Sequence, residues 1–299
     1  MPPHRWGLLA SALKIGPLSI SWDLSTRPEL GTGHWVVRPI DPAPVARGPR
    51  DARWFNDDEW SGVETAAWTA WVSNRDRCAA LWASSSEAAR EALSVVIPGA
   101  LRREGVMDAH GAVIAPDPAR PDDAVFVTGL SGAGKSTLAM TSALGGARFV
   151  ADDSAAIGLV GANLVSWPRR SSMSLTPDMA RRVLRDRPRE TYGDKDFVDG
   201  RDLFPAQFAS SLTVRAVAFL ERGPGQDTQV SPVSPSLAYR QLLMGHPILA
   251  VDRGARRCFD VVRRLAALPS YRVAGGTDLL EPAKACSTLS ALLSSTEAK

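Results

Sequence analysis

The chain has 299 residues, of which 44% are hydrophobic and 22% charged, and a formal net charge of +3. This length can bury a full core in one large domain or two smaller ones. Because the net charge is nearly balanced, it gives no indication of nucleic-acid binding. No apolar run reaches the ~18 residues that a membrane helix needs. We therefore expect neither nucleic acid nor a membrane as a partner.

The cysteines and the N-terminus favour a cytoplasmic protein. Cys78, Cys258 and Cys286 lie far apart and form no CxxC pair, which is typical of ordinary thiols in a reducing compartment. The mildly apolar stretch after Arg5 is interrupted by Lys14 and has no A-x-A site after it. A signal peptide is therefore not expected.

Residues 1–83 form a Trp-rich N-terminal region, predicted to be α+β. Eight of the nine tryptophans lie at or before position 82. Gly- and Pro-rich segments separate them, which predicts short strands and loops, followed by a helix from about Glu59 to Val72. Two interpretations stay open, because tryptophan is favoured in small cores and at interfaces. The region is either an aromatic core or a module that recognises a partner or substrate.

Residues 84–299 are predicted to form a second domain of the α/β class. A helix is expected from Ser86 to Glu104, with a capping box of Ser84 and Glu87 and a bend or break at Pro98. An apolar, β-rich run from Ala124 to Thr128 predicts a buried strand. Further helices are predicted over 136–143, 177–185, 236–243 and 255–268, and strands over 111–114, 148–151 and 214–220, with a hairpin near 161–163. This alternation favours a sheet with flanking helices.

A phosphate-binding motif, G-x-x-x-x-G-K-[ST], follows the predicted strand. Its residues, the predicted nucleotide-binding set, are Gly129, Leu130, Ser131, Gly132, Ala133, Gly134, Lys135, Ser136 and Thr137. The glycines let backbone N–H groups surround a phosphate, and the following helix N-terminus adds partial positive charge. Lys135 is expected to reach the β/γ oxygens and the Ser136 hydroxyl to ligate Mg²⁺.

The string from Thr128 to Ala139 resembles the opening of adenylylsulfate kinases. Those enzymes also carry a D-G-D-N-x-R type motif downstream, which this chain lacks. This resemblance therefore covers about a dozen residues only.

A second resemblance, to the HPr kinase/phosphorylase family and its smaller relatives, extends further. The segment from Gly145 to Asp153 ends in Ala-Asp-Asp, and Asp153 follows Lys135 by eighteen residues, as in that family. His110-Gly111 stands where the family has a His-Gly or His-Ala pair. The segment from Arg215 to Gly223 also resembles a strand of the smaller relatives. The resemblance covers roughly the C-terminal two-thirds and implies a P-loop-containing HPr kinase-like core.

The resemblance also implies roles for these residues. Asp153 would take the proton of the acceptor hydroxyl, and Asp152 would help to organise Mg²⁺ and its waters. His110 would support the pair by hydrogen bonding, and ATP and Mg²⁺ are the expected cofactors. The chemistry agrees, since phosphoryl transfer needs a positioned base and carboxylates that organise the metal. The alternative for the two aspartates is a strand-end turn with solvated carboxylates, and for His110 a structural role.

The chain departs from the family in its N-terminal region, which does not resemble the family's own N-terminal domain, and in two motifs. The segment from Val165 to Ser171 has no acidic residue where the family has Glu-x-Arg-Gly, and Thr137 stands where the family has glutamate after the motif's serine. We interpret these departures as those of a kinase-only relative with a different acceptor. Because the family is often oligomeric, a homo-oligomer is a further expectation.

A basic segment from 169 to 189 contains seven arginines and two aspartates. Such an excess can bind the γ-phosphate or attract an acidic acceptor peptide. Arg169 and Arg170, nearest the acid pair in sequence, are the candidate phosphate ligands. The alternative is a solvated helical face.

The sequence thus predicts an ATP- and Mg²⁺-dependent kinase that phosphorylates a serine of a peptide or small protein, with peptide tailoring as one context. A small-molecule alcohol kinase and a non-catalytic nucleotide-binding regulator are the alternatives. The regulator is disfavoured by the presence of Lys135, Ser136 and Asp153 together.

Overall fold

A computed structural model describes most of the chain. The described residues are 12–15, 18–21, 34–39, 53–56, 60–73, 75, 77–169, 172–177, 180–181, 190–192, 195–245 and 255–294. By its internal contacts the chain divides into two compact units, Met1–Gly105 with Leu249–Arg257 and Val106–Ile248 with Cys258–Lys299.

The first unit contains a seven-stranded mixed sheet and one long helix. Its strands are β1 (Ala12–Ile15), β2 (Leu18–Ser21), β3 (His34–Pro39), β4 (Arg53–Asn56), β5 (Trp60–Glu64), β6 (Trp68–Ser73) and β7 (Cys78–Ala83), in the spatial order β1-β2-β3-β7-β6-β5-β4. Helix α1 (Ser86–Arg103) packs on β6 and β7. Gly99 permits this close packing, because a Cβ there would lie 2.7 Å from Val72.

The predicted helix from Glu59 to Val72 is wrong, because this segment forms the β5–β6 hairpin. Thr65 makes the turn. Its hydroxyl donates to the carbonyl of Trp68 at 2.8 Å and accepts from the N–H of Trp68 at 2.9 Å. A threonine hydroxyl that bonds its own backbone competes with helix formation, and aromatic residues fit a pleated strand.

Helix α1 agrees with its predicted position, but its cap differs. Ser85, not Ser84, is the N-cap residue, and its hydroxyl accepts from the N–H of Ala88 at 3.1 Å. Pro98 lies inside α1 and does not divide it.

The second unit is built on a nine-stranded mixed sheet and also contains a small three-stranded sheet. The strands are β8 (Met107–His110), β9 (Ala112–Ala115), β10 (Asp123–Thr128), β11 (Arg148–Ala151), β12 (Ser154–Val160), β13 (Asn163–Pro168), β14 (Ser172–Leu175), β15 (Glu190–Tyr192), β16 (Lys195–Asp199), β17 (Leu212–Arg222), β18 (Gln229–Val233) and β19 (Ser270–Gly275). The helices are α2 (Lys135–Leu144), α3 (Gly200–Leu203), α4 (Pro235–Gly245), α5 (Ala255–Ala267) and α6 (Pro282–Ser294), with a 3₁₀ turn at Thr277–Leu280.

The large sheet has the order β11-β9-β10-β17-β13-β12-β8, and β19 pairs with β17 and β18. Strands β10, β17 and β19 are parallel to one another, whereas β9 is antiparallel to both β10 and β11. The small sheet has the order β14-β16-β15.

Two apolar clusters fill the two faces of the large sheet. One joins Ile114 and Val127 to Leu138 of α2 and Leu289 of α6. The other joins Phe126 of the same sheet to helices α4 and α5, which contribute, among others, Leu242 and Val262. The second unit is therefore a mixed α/β structure with helices on both faces of a central mixed sheet.

Most predicted elements of this unit agree with the structure. The strands 111–114, 148–151 and 214–220, the hairpin at 161–163, and the helices 136–143, 236–243 and 255–268 all appear with small shifts at their ends. Of the predicted helix 177–185, residues 177, 180 and 181 are helical, and the rest lies outside the described residues. Among the described residues, no helix has the length and apolar character needed to cross a membrane.

One residue separates two strands that occupy different places in the sheet. Strand β8 is at the end of the order and pairs with β12, whereas β9 lies between β10 and β11. Only Gly111 stands between them. A Cβ on Gly111 would lie 2.5 Å from the carbonyl oxygen of Val127, so the chain needs glycine where it passes from one position to the other.

Candidate phosphate-binding and acid-pair site

The candidate residues meet at one edge of the large sheet. Strands β10 and β11 are both antiparallel to β9, so they run in the same direction and their carboxyl ends lie at the same edge. The loop from Gly129 to Gly134 follows β10, and Asp152-Asp153 follows β11. Carboxyl ends of parallel strands are where ligands bind in α/β sheets.

The glycines of the loop are required for different structural reasons. A Cβ on Gly129 would lie 2.2 Å from the carbonyl oxygen of Leu220 in β17. Gly132 and Gly134 have φ values of +79° and +102°, which residues with a Cβ atom rarely adopt. Gly134 is the N-cap of α2. The loop backbone is thus held against β17 and leads directly into the positive end of a ten-residue helix.

Lys135 extends back over this loop. Its side chain is buried, and Nζ donates to the carbonyl oxygens of Gly129 at 2.9 Å and Leu130 at 3.1 Å. The ammonium group therefore lies inside the curve of the loop. Leu130 is 85% exposed at the outside of the same curve.

Asp152 is the buried member of the acid pair, with 2% of its surface exposed. Its Oδ2 accepts from the backbone N–H of Ser174 at 3.0 Å, and its carboxylate also accepts from the Ser136 hydroxyl. Burial raises the pKa of Asp152 to about 6, and the charge of Asp153 raises it as well, against the lowering effect of the two serine hydrogen bonds. A cation beside Asp152 would relieve this cost.

Asp153 is the accessible member of the pair. Its Oδ1 lies 3.3 Å from Nδ1 of His110, and both side chains are about half exposed. The backbone carbonyl of Asp153 accepts from the N–H of Gly111 at 3.0 Å, and Thr128 donates its hydroxyl to the carbonyl of His110 at 3.1 Å. The end of β8, the end of β10 and the acid pair are thereby connected.

Arg169 is engaged with other protein groups. Its Nη1 lies 3.1 Å from Oδ1 of Asp108 and donates to Oγ of Ser154 at 2.8 Å, and its side chain is 10% exposed. The other candidate phosphate ligand, Arg170, lies outside the described residues.

The structure brings together Lys135, Ser136, Asp152, Asp153 and His110, with the rest of the 129–137 segment in the loop and the first turn of α2. Three groups that contact the candidate residues were not identified from the sequence. The backbone N–H of Ser174 has no sequence signal. Ser154 has none either. Asp108 had one, because it stands two residues before His110 on a strand, and alternate residues share a face.

Hard oxygen ligands are available for a magnesium ion. The hydroxyl of Ser136 and the carboxylate of Asp152 already contact each other, and Mg²⁺ prefers oxygen ligands, completing its shell with water and substrate phosphates. The cost of burying the Asp152 carboxylate would be lowered by a divalent cation beside it. Ser136 and Asp152 are thus the residues of this chain that would hold Mg²⁺.

Comparisons with known proteins find similarity among solved structures. Neither a family model nor a curated protein matches the chain. Among solved structures, the chain is similar to the Hpr(Ser) kinase/phosphatase from Coxiella burnetii, with 12% identity and a TM-score of 0.38, covering 64% of this chain and 99% of that one.

Proposed function

We propose that the second unit is an ATP- and Mg²⁺-dependent kinase that transfers the γ-phosphate to a serine hydroxyl of a peptide or small protein. The observation that carries the proposal is the pairing of two adjacent carboxylates with two different partners. Asp152 contacts Ser136 at the start of α2, and Asp153 contacts His110 at the end of β8. A glycine loop with a buried lysine lies at the same edge of the sheet.

The difference in exposure divides the work between the carboxylates. Asp152 is buried against Ser136 and Ser174, where it can hold the metal but cannot meet a macromolecular substrate. Asp153 is about half exposed and can approach an acceptor hydroxyl. We assign the general base to Asp153 and metal binding to Asp152 with Ser136.

The remaining groups bind and orient. Backbone N–H groups of the loop and the ammonium of Lys135 surround the phosphates, whose charge suits the N-terminus of α2. When bound by Ser136 and Asp152, Mg²⁺ would neutralise charge on the transferring phosphate. His110 holds the Asp153 carboxylate in one orientation, and Asp153 accepts the proton of the acceptor hydroxyl.

Transfer of labelled γ-phosphate from Mg²⁺-ATP to a panel of serine peptides and small alcohols tests the proposal, with Asp153→Asn as the control. Labelled peptide that is lost in the variant supports it. Label that appears only on small alcohols would indicate that the acceptor is a small molecule and not a peptide. Bound ATP without any transfer would favour the nucleotide-binding regulator and contradict the kinase.

A further inference from the structure

We propose that Arg169 is a positioning residue for the acid pair rather than a ligand of the γ-phosphate. Its guanidinium holds the start of β12 against β8 and so fixes the point at which Asp152 and Asp153 join the sheet. The inference rests on the proposed function, because it assigns Arg169 a part in the same site.

A single nitrogen of Arg169 connects three strands. Nη1 donates to Oγ of Ser154, the first residue of β12, at 2.8 Å and lies 3.1 Å from Oδ1 of Asp108 in β8. Arg169 itself directly follows β13. Ser154 is buried, and Oδ1 of Asp108 also lies 3.4 Å from its hydroxyl. The arginine charge thus belongs to a mostly buried, paired network.

Strand register places this network beside the acid pair. Ser154 pairs with His110 and Ala156 with Asp108 between β12 and β8. Because alternate residues of a strand share a face, Asp108 and His110 point to the same side. Ser154 directly follows Asp153, and His110 contacts Asp153 at 3.3 Å. A displacement of Ser154 would therefore move Asp153 and its histidine relative to each other.

Arginine suits this position because it carries its charge on a planar, rigid guanidinium, whereas lysine is a point charge on a flexible stem. Removing the arginine leaves Asp108 as a partly buried charge without its counter-ion, which loosens the strand start. A phosphate ligand behaves differently. Its loss weakens nucleotide binding, whereas the loss of a positioning residue lowers turnover at unchanged affinity.

The first test uses the full chain without nucleotide. Amide hydrogen exchange at Gly111, whose N–H donates to the carbonyl of Asp153, reports on the junction directly. We expect exchange at least ~10-fold faster in Arg169→Met than in the wild type. The matched control is Arg215→Met, which removes an ion pair with Asp123 (2.9 Å) between β17 and β10 in the same sheet. Equal exchange at Gly111 in all three proteins overturns the proposal.

The second test measures Mg²⁺-ATP affinity and Mg²⁺-dependent ATP hydrolysis in the same proteins, with Arg169→Lys as the variant that retains the charge. We expect Arg169→Met to lower kcat by ~10- to 100-fold, the usual cost of losing a supporting contact, with Kd changed less than ~3-fold. Arg169→Lys should fall between Arg169→Met and the wild type, and it replaces Arg169→Met if the latter does not fold.

A rise in Kd that matches the fall in kcat overturns the proposal in favour of a phosphate ligand. A kcat in Arg169→Met equal to that of Arg215→Met also overturns it. A wild-type protein that binds no Mg²⁺-ATP refutes the proposed function instead, and the exchange measurement then still decides whether Arg169 fixes the junction.

Discussion

Oδ2 of Asp152 accepts a hydrogen bond from the backbone N–H of Ser174 at 3.0 Å, which connects the end of β11 to β14. This contact holds a carboxylate in a place that water scarcely reaches. The carboxylate is therefore costly in the unliganded protein and available to a cation. Its cost can be measured without knowing the substrate.

Asp152→Asn should change the pH dependence of stability. The pKa of Asp152 in the folded protein, about 6, lies above its ordinary value of 3.8, so the folded state binds more protons between these values. The stability of the wild type falls as the pH rises through this window. The variant lacks this loss, and its unfolding free energy relative to the wild type should increase by roughly 2 kcal/mol from pH 4 to pH 8. Urea unfolding without Mg²⁺ measures it.

A pH-independent difference for Asp152→Asn would contradict the burial of an ionisable carboxylate.

Lys135→Met should weaken ATP binding by about 10- to 100-fold, since a hydrogen bond from a charged group contributes about 1.5–3 kcal/mol. Isothermal titration with Mg²⁺-ATP measures the affinity. Lys284→Met serves as control, because Lys284 is half exposed and lies 3.8 Å from Asp278 in the same unit. Equal affinities of the two variants would remove Lys135 from the phosphate site.

Asp153→Asn should lower transfer by about 10²- to 10⁴-fold at nearly unchanged ATP affinity, as expected for loss of a general base. His110→Ala should lower it less. Because His110 acts through Asp153, the double variant should be no slower than Asp153→Asn alone. Additive losses would show that His110 acts independently of Asp153.

Gly129→Ala should abolish nucleotide binding and destabilise the fold by about 1–3 kcal/mol, the range for overpacking a tight site. The added Cβ would lie 2.2 Å from the carbonyl oxygen of Leu220. Gly146→Ala is the control: its φ is +90°, but no atom lies within 4 Å of the added Cβ. That variant should be destabilised by roughly 1–2 kcal/mol from strain alone and retain its ATP affinity.

The sequence predicted those parts of the fold whose pattern is local. The β-rich run before Gly129 and the helix after it required only neighbouring residues, as did the strand that ends before Asp152. The β5–β6 hairpin was missed because its decisive contact, the Thr65 hydroxyl with Trp68, is a turn that competes with the apparent helical spacing.

The long-range part of the site was not predictable from spacing. The contact of Ser174 with Asp152 depends on a backbone N–H of a strand 22 residues further along. The engagement of Arg169 depends on Asp108, which the pairing of β8 with β12 brings beside Ser154. Both follow from the register of the assembled sheet, which periodicity within one strand cannot specify.

The single-residue step at Gly111 has a consequence for folding kinetics. His110 reaches Asp153 only when β8 has paired with β12, while its neighbour β9 must pair with β10 and β11. Pairings between distant segments form slowly, because loop closure precedes the gain in contact energy. During refolding, the His110–Asp153 contact should therefore appear after most helical structure, so recovery of catalysis would report the pairing of β8 with β12.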